Sequence, residues 1–143
     1  EVNEKQKNIL FDKFTKHFSG EIKGKKVAIW GLSFKPETDD IREAPALVLI
    51  DSLLKHGCEV SVYDPVAMKE AKKVLSDSVR FANDIYDSVF DVDAIFHVTE
   101  WKEFRLPNWE VIKRSMKPNP ILLDGRNVFD ETMLKGLEYI KIG

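Results

Sequence analysis

Apolar residues recur along this chain with two periods that take turns. Val2, Gln6, Ile9, Leu10, Phe14 and Phe18 follow at three- and four-residue steps, with Lys and Glu between them. That stripe predicts an amphipathic helix over residues 2–18, stopped by Ser19-Gly20. Asn3 with Gln6 reads either as a capping box or as the interior of a helix that starts upstream. Val27-Ala28-Ile29-Trp30 is a short continuous apolar run of strand type, followed by a polar loop from Gly31 to Ile41. The helical period returns over Ala44 to His56, with Pro45 in the first turn, an apolar face of Leu47, Ile50, Leu53 and Leu54, and Gly57 as the stop. Glu59 to Tyr63 alternates as a strand, Asp64-Pro65 turns, and residues 66–75 form the next helix. A short strand at 79–81, a short helix at 85–90 and a strand at 93–98 come next. A helical turn at 101–104 capped by Thr99 and a helix at 108–116 follow. Residues 118–123 lead into a strand ending at Asp124, then come a helix at 130–135 and an edge strand at 137–142.

Strands therefore alternate with helices, and the inner strands are apolar throughout rather than every second residue. That combination predicts an α/β domain built on an open, mostly parallel, Rossmann-like sheet with helices on both faces, preceded by an N-terminal linker helix. The boundary falls between residues 1–20, the helix, and residues 21–143, the sheet domain.

Composition narrows the function without naming it. With 143 residues, 43% of them hydrophobic and 32% charged, the chain is one globular domain with enough core to need no staples. Lys and Arg total 22 against 24 Asp and Glu, a net charge of −2, which argues against a nucleic-acid partner held by bulk charge. No apolar run approaches the length of a membrane span, so no membrane partner is expected. A single cysteine, Cys58, makes neither an internal disulfide nor a Cys-rich zinc site. No secretory signal is visible, and the expected location is the cytoplasm. The opening Glu1-Val2-Asn3, without Met and inside a helical pattern, is read as the start of a piece of a longer protein.

In an open parallel sheet, ligands gather at the carboxyl ends of the strands. The loops after Trp30, Tyr63, Val98 and Leu123 share that edge. The first carries one glycine, Gly31, where a dinucleotide fingerprint needs three. The acid after the second strand, Asp64, lies 33 residues beyond Gly31 rather than the usual ~20. The loop thus has the position of a nucleotide site without its chemistry. It offers cations instead: Lys35 beside the stiff Pro36, and Arg42 near Asp39 and Asp40, while Arg126 follows Gly125 on the last loop. Converging cations fit a small anion such as a phosphate or diphosphate. The alternative is that Lys35 and Arg42 pair with local acids and Arg126 caps a turn. Cys58 reads as a buried thiol, His97 as structural, the three tryptophans as core, and Asp39-Asp40 lacks a third ligand for a metal.

Four stretches, in order, resemble the C-terminal domain of the nucleotide-sugar dehydrogenase family: Val2-Asn3-Glu4-Lys5-Gln6, the long run Val27 to Pro45, Thr99-Glu100-Trp101-Lys102-Glu103-Phe104, and Asp124-Gly125-Arg126-Asn127-Val128. The Phe34-Lys35-Pro36-Glu37-Thr38-Asp39-Asp40-Ile41-Arg42 run is the most specific of them. The resemblance implies an enzyme that oxidises the sugar C6 hydroxyl of a UDP-hexose to a carboxylate in two hydride transfers to NAD, through a thiohemiacetal and a thioester on a catalytic cysteine. That cysteine and the main NAD-binding domain would lie upstream, Cys58 does not match it, and no catalytic residue is expected in this chain. The resemblance further implies that residues 1–20 are the end of a central interdomain helix. It gives Phe34, Lys35 and Arg126 substrate-binding roles, and makes Arg42 a contact to NAD held mainly by the other domain. The expected partners are a UDP-sugar, the N-terminal dehydrogenase domain and further copies of the same enzyme, in a pathway feeding surface polysaccharides.

The Asp-Gly-Arg turn and the central loop look most like the members that act on UDP-glucose, with those acting on UDP-N-acetylmannosamine or GDP-mannose as the alternative. The sequence opposes two readings from other classes: a self-sufficient nucleotide-binding module, by the missing glycines, and a receiver-like phosphoacceptor domain, by the absence of a third-strand acid with a partner Lys.

Overall fold

A computed structural model describes residues 2–33 and 35–142, with residues 2–8 as helical backbone only. The chain runs α1 (Val2–His17), β1 (Lys26–Trp30), α2 (Pro45–Lys55), β2 (Glu59–Tyr63), α3 (Met68–Leu75), β3 (Arg80–Phe81), α4 (Ile85–Ser88), β4 (Ala94–His97), α5 (Trp109–Ser115), β5 (Ile121–Asp124) and β6 (Glu138–Lys141). Two 3₁₀ turns, Lys102–Phe104 and Glu131–Leu134, stand in the loops after β4 and β5.

The six strands order as β3-β2-β1-β4-β5-β6, and every neighbouring pair is parallel, the last strand included. This is the doubly wound, Rossmann-like arrangement, with its switch point between β1 and β4. All four residues of β4 and of β5 are buried, as are the last four of β1. A strand covered on both faces has no polar side, which is why these runs are uniformly apolar.

Handedness explains how the two faces are covered. Right-handed crossovers put α2 and α3 over β3-β2-β1 on one face and α5 over β4-β5 on the other, leaving a quadrant of each face bare. On the second face α4 packs on β1 and β2. On the first, α1 packs beside α2 and against β5. Phe14 of α1 is completely buried, its ring edge-on to Phe96 of β4 at 5.2 Å, and Leu10 is buried beside it. Of the apolar stripe of α1, Leu10 and Phe14 are covered by the chain's own sheet, while Ile9 and Phe18 are half-buried. Val2 and Gln6 lie outside the described side chains.

Several element ends differ from the pattern-based expectation. Helix α3 begins at Met68 rather than at residue 66, because the Asp64 carboxylate takes the Val66 and Ala67 N–H groups, each at 2.8 Å, in an Asx turn. Thr99 caps no helix: its hydroxyl donates across the switch point to the Ser33 carbonyl at 2.7 Å. The buried face of α2 is Ala46, Leu49, Ile50 and Leu53, with Leu47 and Leu54 half-buried at its flanks. Asn108 is outside α5 as its N-cap, accepting from the Glu110 and Val111 N–H groups at 3.1 and 3.2 Å.

Candidate functional site

All six strands point the same way, so the loops after β1, β2, β4 and β5 converge at one edge. The register places the ends Trp30, Tyr63, His97 and Asp124 side by side. The loop leaving β1 is tied to that leaving β4. Gly31 has φ +97°, and a Cβ there would lie 2.5 Å from the Thr99 Cβ and 2.6 Å from the Thr99 nitrogen. Only glycine permits this approach.

The same loop is tied to β2. The buried Asp64 carboxylate accepts from the Leu32 N–H at 2.7 Å and the Ser33 N–H at 3.4 Å, while its other oxygen holds Val66 and Ala67. In a dinucleotide site the amides after β1 face a pyrophosphate. Here an acidic side chain from inside the protein accepts from those amides instead. Above the other face of β1, the Tyr63 hydroxyl donates to Glu103 at 3.1 Å, and burial followed by the Glu103 charge pushes that phenol up to about 12. The amides that would face a pyrophosphate at the switch point of this domain already have an internal acceptor.

The expected anion-binding residues divide into two groups. Lys35, after β1, and Arg126, after β5, are exposed, and neither side chain has a hydrogen bond or ion pair among the described residues. Their strands flank β4, so the strand ends Trp30 and Asp124 from which their loops depart stand about 10 Å apart. Arg42 is different: its guanidinium grips Asp40 in two bonds of 3.0 and 2.9 Å, which holds the Asp40 carboxyl down at about 2. This is the local acid pairing that the sequence left open. Phe34 lies outside the described residues. The Cys58 thiol is buried, donates to the Ile22 carbonyl at 3.3 Å and is pushed up to about 11 by burial, which suits packing and not nucleophilic work.

One cluster at this edge was not legible beforehand. Asp124, fully buried at the end of β5, accepts four hydrogen bonds: His97 Nδ1 at 2.8 Å, the Arg126 N–H at 2.8 Å, the Val128 N–H at 2.8 Å and the Tyr139 hydroxyl at 2.6 Å. Burial alone would raise its pKa; the bonds from His97, Tyr139 and the Arg126 amide outweigh that and hold it below the usual carboxylate range. The Gly125 N–H donates to the His97 carbonyl at 2.9 Å, and a Cβ on Gly125 would press on Leu10 Cδ1 at 3.1 Å. The turn carrying Arg126 is thus pinned to β4, β6 and α1 at once. An Asp before Gly at a strand end was the available signal; its partners, 15 and 27 residues away, were not.

With this geometry in place, the comparisons with known proteins decide the family. A profile of the UDP-glucose/GDP-mannose dehydrogenase family, UDP binding domain, matches residues 28–131, from β1 through the second 3₁₀ turn's first residue. The chain belongs to that family. It is 42% identical over 146 aligned residues to the UDP-glucose 6-dehydrogenase of Pseudomonas aeruginosa, covering 99% of this chain and 32% of that protein. The UDP-glucose 6-dehydrogenase TuaD of Bacillus subtilis is 38% identical, over 100% of this chain and 31% of that protein. Among solved structures, a UDP-glucose dehydrogenase from Pyrobaculum islandicum superposes with a TM-score of 0.78 at 29% identity, covering 99% of this chain and 30% of that one. The chain spans about a third of the length of the curated relatives that it matches. Among the described residues no helix is long and apolar enough to cross a membrane.

Proposed function

We propose that this chain is the substrate-gripping domain of an NAD-dependent nucleotide-sugar dehydrogenase that oxidises UDP-glucose to UDP-glucuronate. Lys35 and Arg126 hold the nucleotide end of the UDP-sugar, and Phe34 is a third substrate-binding residue. The observation that carries this reading is the pair of cations, unpartnered among the described residues, at the carboxyl edge of a domain whose own switch-point amides are taken by Asp64. Both cations lie inside the matched UDP binding domain. The full-length relatives, named as UDP-glucose 6-dehydrogenases, support the choice of sugar.

On this reading the thiol that holds the sugar and the main NAD site belong to the rest of the protein, to which residues 1–20 lead. The enzyme works in the cytoplasm as a homo-oligomer, and its product supplies polysaccharide synthesis. Arg42, preorganised by Asp40, faces the cofactor held by the other domain.

Titration of the chain with UDP tests the proposal. Lys35→Ala should remove a charge-assisted contact of about 1.5–3 kcal/mol, weakening UDP roughly 10- to 150-fold at unchanged melting temperature. Arg126→Lys keeps the charge and loses the fork, so it should weaken UDP nearly as much as Arg126→Ala. If both variants melt lower while UDP affinity holds, the cations are structural and the assignment fails.

A further inference from the structure

We infer that the cluster of buried His97 and Asp124 with half-buried Tyr139 is a positioning device that presents Arg126 to the UDP moiety, so these three residues set substrate affinity without touching substrate. The inference rests on the role proposed for Arg126.

Asp124 ends β5, and the chain must turn at once to bring Arg126 out over the edge. A four-residue turn in water samples many conformations, and fixing each residue's backbone costs about 1–2 kcal/mol. A flexible Arg126 would have to meet that cost on binding; a turn already fixed does not. The fixing is visible atom by atom. Asp124 Oδ1 accepts the Arg126 N–H and Oδ2 accepts the Val128 N–H, so one carboxylate spans the turn and clamps both its limbs. Asn127, between them, takes a left-handed φ of 57°, and its side-chain oxygen accepts the Ile142 N–H at 3.1 Å.

A buried carboxylate can do this only if its own charge and orientation are secured. His97 Nδ1 secures Oδ1 and the Tyr139 hydroxyl secures Oδ2. These donors come from β4 and β6, the two strands flanking β5, so the carboxylate is braced from both sides by the rigid sheet. His97 is itself fixed between the rings of Phe104 and Phe129, at 5.8 and 4.8 Å between centroids. With its Nδ1–H given to Asp124, its Nε2 is buried without a partner among the described residues. An imidazole chosen only for packing would have been replaceable by an apolar ring without this orphan atom, so the histidine is present for the Nδ1 bond. The Arg126 guanidinium, in contrast, is exposed and unpaired among the described residues. The backbone is rigid and the side chain is free, which is the arrangement for presenting a charge to a ligand that arrives from outside.

The test uses the 143-residue chain, UDP as the probe, and amide hydrogen exchange. Tyr139→Phe removes one brace and leaves the partly exposed ring in place. It should weaken UDP about three- to tenfold, the scale of one hydrogen bond. It should also speed exchange at the Arg126 and Val128 amides while the amides of β1 and β4 keep their protection. Asp124→Asn, where it folds, should do more of both. The decisive arm is a cycle with Arg126→Ala. If the cluster acts through Arg126, Tyr139→Phe/Arg126→Ala binds UDP no worse than Arg126→Ala alone. A merely structural cluster would lower the melting temperature of Tyr139→Phe with its UDP affinity and turn exchange unchanged, and that result overturns the inference. So does an additive cycle. If Arg126→Ala itself leaves UDP affinity unchanged, the substrate-binding role of Arg126 fails first and the inference falls with it, a different and recognisable outcome.

Discussion

Gly31 concentrates the constraints on single residues here. Its φ of +97° and its contact with Thr99 act together, because a methyl at that position meets backbone nitrogen and Cβ at about van der Waals overlap. Gly31→Ala should cost about 2–5 kcal/mol, the left-handed backbone plus a steric clash with the Thr99 backbone and Cβ. Gly20 is the control: its φ is +83° with nothing within 4 Å, so Gly20→Ala should cost only the backbone part, about 1–2 kcal/mol. Urea unfolding of both variants checks the difference, and equal costs would mean that the close approach to Thr99 carries no weight.

The carboxylates make a second prediction at this scale. Asp124 and Asp40 both have folded pKa values below the unfolded value of about 3.9, so each adds stability above that value and loses it as pH falls. For Asp40 the loss runs down towards about 2, but the pair with Arg42 is solvent-exposed and screened, so it contributes little. Asp124, fully buried, should dominate. Melting temperature should therefore hold near neutrality and drop as pH falls below about 4. In Asp124→Asn the drop should be shallower, from a lower plateau. An acid limb unchanged by that substitution would remove Asp124 as its source.

At the scale of elements, α1 is the one whose role changes most between sequence and structure. Its pattern is that of any amphipathic helix and does not say which surface covers it. The topology does: α2 and α3 leave the half of that face over β4 and β5 bare, and Phe14 and Leu10 fill it. Phe14→Ala should destabilise by about 3–5 kcal/mol, as a fully buried aromatic. Removing residues 1–20 should cost more, since Phe96 would face water and the prop under Gly125 would be lost. A chain of residues 21–143 that melts cooperatively at the same temperature would show that α1 is an appendage.

For the whole molecule, the fold and the chemistry of its crevice point in opposite directions. A doubly wound sheet with an open switch point would bind a dinucleotide, and here that place is taken by Asp64, Thr99 and the Tyr63–Glu103 bond. The chain by itself should give no saturable heat with NAD and make no NADH from UDP-glucose. Saturable NAD binding, lost in an Asp64 variant that still folds, would contradict this account of the crevice.

The succession of strands and helices, the parallel sheet and the buried inner strands were determined by the sequence alone, because each rests on a period of 2 or 3.6 residues or on an unbroken apolar run such as Ile121-Leu122-Leu123. The exposed placement of Lys35 and Arg126 at the carboxyl edge was also legible there, since a strand end followed by a cation needs only local order. Tertiary structure alone decided the rest. Asp64 closing the first loop, Thr99 bonding Ser33 instead of capping a turn, Arg42 choosing Asp40, and His97 and Tyr139 meeting at Asp124 each depend on which acceptor is nearest in space once the strands are aligned. Apart from the Arg42 pair, these partners stand 15 to 66 residues apart. Hydrophobic periodicity carries no record of such pairings, because a buried polar group is specified by the neighbour that satisfies it and not by its own position in the chain.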